Sequence, residues 1–292
     1  MIHDRRAFLT SAAAASFLPW GLGGSARAAE TDPRLARALA RIPGDAAVYA
    51  RSVAGAAPLV SIDATAEFPA ASIIKLWIML SVYRAVDAGR VRLSQHIAFA
   101  RHDIVGGSET FGSASPGESA SIASLVRAMI AQSDNTAANA LARYLGFERI
   151  DREEAAAAGF RATHLQRYFM YFPSPHENLT TARDVGELLV GIARGARGEA
   201  GAVASRRSCR AMVETLLRQE DREKIAPGLP AGTPLANKTG ELPGVRHDAG
   251  IVDPFGPSPY VLVVLEKNLS DQARGVAGIN RISAIVHSVL GS

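Results

Sequence analysis

The sequence predicts a mixed α/β fold of the α+β type, in which one antiparallel sheet is built from both ends of the chain. Strand-like segments occur only near the two ends, and the long middle part has apolar residues at helical spacing. A single sheet shared by both ends and flanked by helices, with an all-helical insert, satisfies this order. We expect a sheet subdomain at about residues 29–65 and 205–292 and a helical subdomain at about residues 66–204.

The individual elements follow from local patterns. Apolar residues at three- and four-residue spacing predict helices, and β-branched runs between turn signals predict strands. The Gly- and Ser-rich segment 106–119 and the aromatic, Pro-broken segment 165–178 follow neither period and are predicted as loops. The predicted helices cover 33–42, 72–88, 121–131, 136–144, 148–157, 181–193, 204–217 and 270–290, and the predicted strands cover 46–53, 58–62, 233–238, 245–252 and 260–266.

The clearest chemical signal is a Ser-x-x-Lys motif at the start of the predicted helix 72–88. Residues three apart share one helix face, so Ser72 and Lys75 lie within reach of each other. A serine hydroxyl becomes a good nucleophile when a neighbouring base takes its proton, and a buried lysine with a depressed pKa is such a base. Taken alone, the motif is more typical of a serine N-cap with a lysine nearby by chance.

Two further motifs follow in the chain. Ser-Asp-Asn at 133–135 lies in a break between two predicted helices, and Lys-Thr-Gly at 238–240 ends a predicted strand. Each is more often structural when it occurs singly, the first as a helix N-cap and the second as a strand end. The three motifs in this order resemble those of class A β-lactamases and, more widely, of penicillin-recognising serine hydrolases. The resemblance covers about residues 32–290, and SDNTAANAL and NLTTARDVGEL add to it.

The resemblance implies catalytic roles for four of these residues. Ser72 attacks an amide carbonyl and becomes acylated, and Lys75 accepts its proton or sets the charge around it. Ser133 passes a proton to the leaving nitrogen from a position between two lysines. Asn135 offers its amide to a carbonyl group of the substrate side chain.

The resemblance also implies substrate-binding roles for the Lys-Thr-Gly strand. Lys238 and Thr239 hold a substrate carboxylate, and the backbone N–H that follows Gly240 stabilises an oxyanion. That residue is Glu241, whose carboxylate is unusual for the family and would repel an anionic substrate if it pointed inward. Arg246 on the next strand is a candidate second clamp for the carboxylate, although a solvated strand-edge arginine explains it equally well.

The chain departs from the family pattern in the loop 165–178. Class A enzymes activate the deacylating water with a glutamate in an E-x-x-L-N pattern on an Ω-shaped loop, and this chain lacks that pattern. The only carboxylate in the loop is Glu177, which directly precedes Asn178. Glu177 is therefore a candidate base, ahead of His176, and a surface residue near a helix start is its alternative interpretation.

The composition excludes several other functions. The net charge of +4 comes from scattered arginines without a basic run, so no nucleic-acid partner is expected. The single cysteine, Cys209, lies in a predicted helix and is interpreted as a small buried residue, not a nucleophile. The histidines lack zinc-ligand spacing, so no metal or other cofactor is expected, and no heptad pattern indicates a partner chain, so we expect a monomer.

The first residues predict export. A twin arginine at Arg5 and Arg6 precedes an apolar segment that ends at the small-x-small sequence Ala26-Arg27-Ala28. The segment is too short to remain in a bilayer as a permanent helix. We therefore expect residues 1–28 to be a twin-arginine signal cleaved near Ala28, without a stable membrane anchor, and a periplasmic or secreted protein.

Three functions are consistent with these observations. The favoured one is a β-lactamase-type serine hydrolase that opens β-lactam amides. The second is a DD-peptidase or esterase that acts on peptidoglycan-like peptides and is inhibited by penicillin, which the missing glutamate favours. The third is a non-catalytic sensor of β-lactams or muropeptides. It is the weakest because such sensors carry a membrane span and a signalling domain.

Overall fold

The structure is a computed structural model that describes residues 32–151 and 159–291. Its centre is a five-stranded antiparallel sheet built from both ends of the chain, as predicted. Two strands come from the first part of the chain, β1 (Asp45–Ser52) and β2 (Val60–Ile62). Three come from the last part, β7 (Leu235–Leu242), β8 (Val245–Val252) and β9 (Tyr260–Lys267). The strand order is β2-β1-β9-β8-β7, so the first strand of the last group, β7, lies at an edge of the sheet.

The strands derived from the two ends pair over their whole length. β1 pairs with β9 (Tyr260–Lys267) from Asp45 opposite Lys267 to Ser52 opposite Tyr260. β8 (Val245–Val252) pairs with β9 on one side and with β7 (Leu235–Leu242) on the other. The turn between β7 and β8 has two residues, and its Gly244 has a φ of 71°, a conformation that glycine adopts without strain.

Successive side chains of each strand point to opposite faces of the sheet, and both faces are buried. On β1, Ala47 and Tyr49 belong to the apolar core shared with the helical insert, whereas Val48 and Ala50 belong to a second core. The second core is covered by α1 (Pro33–Leu39) and α7 (Gln272–Leu290). Because side chains alternate along a strand, one sheet supports helices on both faces.

The insert contributes the remaining helices and four short strands. α5 (Ala182–Arg197) packs on the sheet. The buried α2 (Lys75–Asp87) lies within the insert, where its Trp77 and the apolar neighbours of that residue are almost fully enclosed. The helices are α2 (Lys75–Asp87), α3 (Ile122–Ala131), α4 (Asn135–Leu145), α5 (Ala182–Arg197) and α6 (Arg206–Leu216). The short strands are β3 (Phe68–Pro69), β4 (His96–Ala98), β5 (Ser119–Ser121) and β6 (Leu179–Thr180).

Two predicted boundaries differ from the structure near the motifs. Helix α2 begins at Lys75, and Ser72 lies before it in a 3₁₀ turn, Ala71–Ile74. β7 continues to Leu242, so the Lys-Thr-Gly motif lies inside the strand and does not end it. Both differences have the same cause, because each motif is held by tertiary contacts that a local pattern does not contain. The export signal and most of the predicted helix 148–157 lie outside the described residues.

Two further properties concern the whole described part of the chain. Cys209 is buried without a disulfide partner, and burial raises the pKa of its thiol, as its interpretation as a core residue requires. Within residues 32–151 and 159–291, no helix combines the length and apolar character that a membrane crossing demands.

One buried carboxyl group lies at the interface between the sheet and α7. Glu266 on β9 is fully buried, and neither of its carboxyl oxygens has a hydrogen-bond partner among the described residues. Two glycines of α7 make room for it, because a Cβ at Gly275 would lie 2.5 Å from Oε2 and one at Gly278 would lie 3.2 Å from Oε1. Burial raises the pKa of Glu266 to about 8, against a weaker opposing effect of Arg246. The group is therefore neutral at pH 7 in the folded protein.

This carboxyl group predicts a pH-dependent loss of stability. Between about pH 5 and about pH 8, Glu266 is deprotonated in the unfolded chain and protonated in the folded protein. Raising the pH in this range therefore favours unfolding. The free energy of unfolding falls by up to about 1.4 kcal/mol per pH unit. We expect Glu266→Gln to remove this trend, so that its free energy of unfolding rises relative to the wild type across that range. Denaturant unfolding at a series of pH values measures it. The exposed Glu118→Gln is the control, and a Glu266→Gln curve parallel to the wild type would contradict the assignment.

Candidate active site

The turn that carries Ser72 is held from two sides. The Nε2–H of buried His247 on β8 donates to the Pro69 carbonyl oxygen at 2.8 Å, and Nδ1 accepts from the Glu266 N–H at 3.0 Å. Ala70 donates its backbone N–H to the Asn178 carbonyl oxygen at 2.7 Å. These contacts fix the chain on which Ser72 is presented. Burial lowers the pKa of His247 to about 4, so the ring stays neutral and keeps this donor and acceptor pattern.

The turn itself is strained and closely packed. Ala71, immediately before Ser72, has a φ of 45°, a conformation that residues with a Cβ rarely adopt. Gly240 on β7 lies against it, because a Cβ at Gly240 would lie 3.3 Å from the Ala71 Cβ and 3.1 Å from Ile73 Cγ1. The glycine of the Lys-Thr-Gly motif therefore lets the edge strand approach the serine closely.

Lys75 is fully buried at the first position of α2, where it makes three polar contacts. Its Nζ donates to the Ser133 carbonyl oxygen at 2.5 Å, to Ser133 Oγ at 3.2 Å and to Asn135 Oδ1 at 2.7 Å. The ring of Phe169 covers the same ammonium group, with its centroid 4.6 Å from Nζ. The contacts join the first two motifs, as the sequence predicts for a shared site.

Ser133 lies between two lysines. Lys238 is also fully buried, and its Nζ lies 3.1 Å from Ser133 Oγ and 2.8 Å from the Thr239 carbonyl oxygen. Ser133 has a φ of 59°, so its backbone is held in the left-handed region in the break between α3 and α4. The Ser133 hydroxyl therefore contacts the amino groups of two lysines, Lys75 and Lys238, from distant parts of the chain.

Asp134 positions this break. It is fully buried, and its Oδ1 accepts the Ala137 N–H at 2.8 Å as the N-cap of α4. Its Oδ2 accepts the N–H groups of Thr110 and Phe111 at 3.0 and 2.9 Å. Asp134 thus ties the loop 106–119 to the start of α4 and has a structural role in its motif.

Burial lowers the proton affinity of both lysines. Burial lowers the pKa of Lys75 well below its usual value, and the charge of Lys238 lowers it further. Burial lowers the pKa of Lys238 to about 7, although Asp248 attracts its charge. Both shifts favour the neutral amine, and Lys75 is the lysine whose pKa the charge of the other one also lowers.

The motif residues line one cleft of about 410 Å³. Lys75 and Lys238 lie directly behind its wall, in contact with Ser133. The predicted residues that line the cleft are Ser72, Ser133, Asn135, Thr239, Gly240 and Glu241. The structure thus brings together eight of the ten candidate site residues, counting these six and the two lysines.

The Glu241 side chain is half exposed at the cleft and shares one buried lysine with a second carboxylate. Its Oε1 lies 2.8 Å from the Nζ of Lys224, which is fully buried and also pairs with the Asp221 carboxylate. The repulsion of anionic substrates that a free carboxylate would cause is therefore reduced. The sequence analysis did not single out Lys224, because its role depends on a contact between the loop before β7 and β7 itself.

Arg246 lies outside the group of cleft residues. Its Nη1 donates to the carbonyl oxygens of Leu242 and Val245 at 3.1 and 2.7 Å, and its Nε lies 3.7 Å from Glu241 Oε1. These contacts hold the guanidinium group at the β7–β8 turn. Arg246 itself does not line the cleft, although Glu241 beside it does, and its role as a second clamp stays a prediction.

Glu177 also lies away from the cleft. Its Oε1 accepts from Arg167 Nη2 at 2.6 Å, from Arg167 Nε at 3.0 Å and from the Asn178 N–H at 2.8 Å. It therefore closes the base of the loop 165–178 and lines a groove beside the β7–β8 turn that shares Glu241 with the cleft. His176 is exposed in the same loop, and neither residue reaches the cleft that Ser72 lines.

The same loop contributes Phe169 to the site, a residue that the sequence analysis missed. Asn139 is fully buried, accepts the Phe169 N–H at 2.8 Å and donates to the Phe169 carbonyl oxygen at 3.3 Å. This pair of bonds aims the ring at Lys75. The available signal was Asn139 itself, a polar residue on the apolar face of a predicted helix.

Within the two described ranges, no three His, Cys, Asp or Glu side chains group closely enough to hold a metal ion.

Comparison with known proteins identifies the family. The sheet, the helical insert and the serine flanked by lysines are those of the serine hydrolase class that the three motifs resemble. A family model described as the Beta-lactamase enzyme family matches residues 30–290, and the chain belongs to this family, as a hydrolase of the class A β-lactamase superfamily.

Individual relatives agree with this assignment. A β-lactamase of Streptomyces lavendulae is 29% identical, over 99% of this chain and 97% of its own. A solved structure of a β-lactamase from Sphaerobacter thermophilus has a TM-score of 0.78 at 29% identity, covering 91% of this chain and 97% of that one. A mutant of PBP-A, solved as its acyl-enzyme complex with penicillin G, has a TM-score of 0.80 at 26% identity, covering 89% and 95%.

Proposed function

We propose that the protein is a serine β-lactamase that opens β-lactam amides through an acyl-serine intermediate. The single observation that carries this proposal is the Ser133 hydroxyl, within 3.2 Å of both Lys75 and Lys238 in the cleft that Ser72 lines. Such an arrangement supplies a nucleophile, a base and a route for the proton to a leaving nitrogen. We also propose that it works after export, as its N-terminal sequence predicts.

Acylation begins with the transfer of the Ser72 hydroxyl proton to Lys75 in its neutral form, which the depressed pKa of this lysine favours. The Ser72 Oγ then bonds to the lactam carbonyl carbon. The backbone N–H groups of Ser72 and Glu241 stabilise the oxyanion that forms. When the C–N bond breaks, Ser133 gives its proton to the nitrogen and regains one from Lys75, so the proton taken from Ser72 ends on the leaving amine.

The remaining residues bind the substrate. Lys238 and Thr239 hold the substrate carboxylate, with Lys238 charged below about pH 7. Asn135 uses its Oδ1 for Lys75 and one Nδ2 hydrogen for the Gly106 carbonyl oxygen, which leaves its second Nδ2 hydrogen for the substrate. The cleft of about 410 Å³ is suited to a bicyclic lactam.

A second candidate function is an acyl-serine enzyme that penicillin inhibits. The observation that favours it is Phe169, because the loop 165–178 presents an aromatic ring to Lys75 and keeps its one carboxylate in an ion pair with Arg167. Water near the acyl group would then lack help from this loop. The similarity to the PBP-A mutant that was solved as an acyl-enzyme complex with penicillin G supports the same candidate.

Turnover of nitrocefin and intact mass after exposure to penicillin G distinguish the two functions. We expect sustained nitrocefin hydrolysis that Ser72→Ala abolishes, because the nucleophile is lost. Ser81→Ala is the matched control, since Ser81 lies buried in α2, the helix that follows the Ser72 turn, with no hydrogen-bond partner for its hydroxyl among the described residues. A single stoichiometric burst with a persistent adduct would establish the second candidate, and no acylation at all would exclude both.

The pKa shifts of the two lysines predict a bell-shaped pH dependence of kcat/KM. The rate rises with pH as Lys75 loses its proton, and it falls above about pH 7 as Lys238 loses the charge that attracts the substrate carboxylate. We expect Lys238→Arg to remove the alkaline decline, because a guanidinium group stays charged. An ester substrate without a carboxylate is the control and should show no alkaline decline in the wild type. An unchanged alkaline decline in Lys238→Arg would assign it to another group.

The position of Glu177 predicts that it is not the deacylating base. A general base contributes about 10²–10⁴-fold to a reaction rate. We expect Glu177→Gln to change the deacylation rate less than about threefold. The reason is that the Glu177 carboxylate is bound to Arg167 and does not line the cleft. Release of the penicilloyl group, followed by intact mass, measures this rate. A thermal unfolding curve controls for loosening of the loop. A hundredfold slower release from a folded variant would place Glu177 at the acyl group.

A further inference from the structure

A second cavity continues from the cleft. It has a volume of about 590 Å³ and shares Ala131, Gln132 and Glu220 with the cleft, so the two spaces meet at these residues. Its walls come from α3, from the residues after α6 and from the loop 106–119. The Thr110 hydroxyl donates to Gln132 Oε1 at the junction. The family assignment gives this second space no role.

The cavity is lined by two guanidinium groups without partners. Arg127 on α3 and Arg218 after α6 are exposed, and neither side chain forms a hydrogen bond or ion pair with the other described residues. Most arginines of the site region are already engaged, as Arg222 is with Asn237 and Arg246 with the β7–β8 turn. Two unpaired guanidinium groups that line one cavity favour an anionic ligand, and their planar donor pairs suit a carboxylate.

The position of the residues shared by the cleft and the second cavity indicates which half of a substrate would enter that cavity. Ala131 and Gln132 directly precede Ser133, the residue proposed to give a proton to the leaving nitrogen. The second cavity therefore opens on the leaving-group side of the cleft. Arg127 lies four residues before Ala131 on α3, which is about 6 Å along a helix axis. An arm of several bonds beyond the nitrogen is long enough to reach it.

The remaining lining agrees with an arm that is apolar along its length and charged at its end. The Phe111 ring lines the cavity and packs against Phe99 with ring centroids 5.3 Å apart, which gives a fixed apolar wall. Glu220 is the carboxylate at the junction, and it forms no ion pair with Arg127 or Arg218 among the described residues. The guanidinium groups are therefore available to a ligand.

We propose that this cavity is a leaving-group subsite that binds a carboxylate at the end of an extended amine, such as an amino acid or peptide attached through its nitrogen. The inference rests on the proposed function, since it takes the acyl-serine reaction as given and adds a substrate class to it. The subsite changes no bond in the reaction. It increases the rate of acylation for substrates whose departing amine carries a distal carboxylate.

The test uses two β-lactams with the same acyl half. Each carries a chain of about 6–10 Å on the side of the ring nitrogen. The chain ends in a carboxylate in one compound and in the isosteric carboxamide in the other. We expect the wild type to acylate the carboxylate compound on the order of tenfold faster, with the preference falling as salt is added. The preference should vanish in the double variant Arg127→Gln/Arg218→Gln. The double variant Arg92→Gln/Arg207→Gln, at two exposed positions away from the cavity, is the control for the loss of two charges and should keep the preference.

A binding measurement separates failure of the subsite from failure of the proposed function. Ser72→Ala cannot be acylated, so its Kd for the two compounds reports the subsite without the chemistry, and we expect the same preference of about tenfold. Equal Kd values for the two compounds, or a preference that survives loss of both arginines, would overturn the subsite. Penicillin G carries no such arm, so loss of its turnover would count only against the proposed function.

Discussion

The site depends on one unfavourable arrangement: two fully buried lysine side chains contact the same serine hydroxyl. Transfer of an ammonium group from water to a protein interior costs several kcal/mol, and two like charges a few ångströms apart add to that. The protein reduces this cost because burial shifts the pKa of both side chains downward. The charge of Lys238 lowers the pKa of Lys75 further, whereas Asp248 partly offsets the effect of burial on Lys238. The proposed relay through Ser133 uses this difference, with Lys75 as the base and Lys238 as the group that binds the substrate carboxylate.

Holding that arrangement requires backbone conformations that the chain would not adopt by itself. Ala71 and Ser133, each next to or within a motif, both have positive φ values, which cost about 1–3 kcal/mol each for residues with a Cβ. Tertiary contacts maintain them: His247 binds the Pro69 carbonyl oxygen, and Asp134 binds three backbone N–H groups around the break. The sheet matters because β7 is an edge strand, with Gly240 close enough to the Ser72 turn to form one wall of the cleft.

The motifs could be predicted from the sequence because each combines a local structure with a reactive group. Ser-x-x-Lys needs only a helical turn, and the alternating apolar residues of β1 and β9 are sufficient to predict a sheet with two buried faces. The partners of Glu241 could not be predicted in this way. Its ion pair with Lys224 joins residues 17 positions apart in sequence, with a 3₁₀ turn and a loop between them. The position of Phe169 likewise depends on Asn139, thirty residues earlier in a helix. Such contacts are decided by tertiary packing, which a local pattern does not contain.

The loop 165–178 separates the two halves of the reaction. In the proposed mechanism, the groups that form the acyl-serine come from the 3₁₀ turn before α2, the start of α2, the break before α4 and β7. None of them requires this loop to supply a carboxylate. The loop instead closes its own base with Glu177 and Asn178 and turns Phe169 toward Lys75. Removal of the acyl group then uses Lys75 in its neutral form, which the depressed pKa favours, as the base for an attacking water. The Phe169 ring covers one side of the Lys75 amino group, so the rate of this second step depends on water access more than on proton affinity.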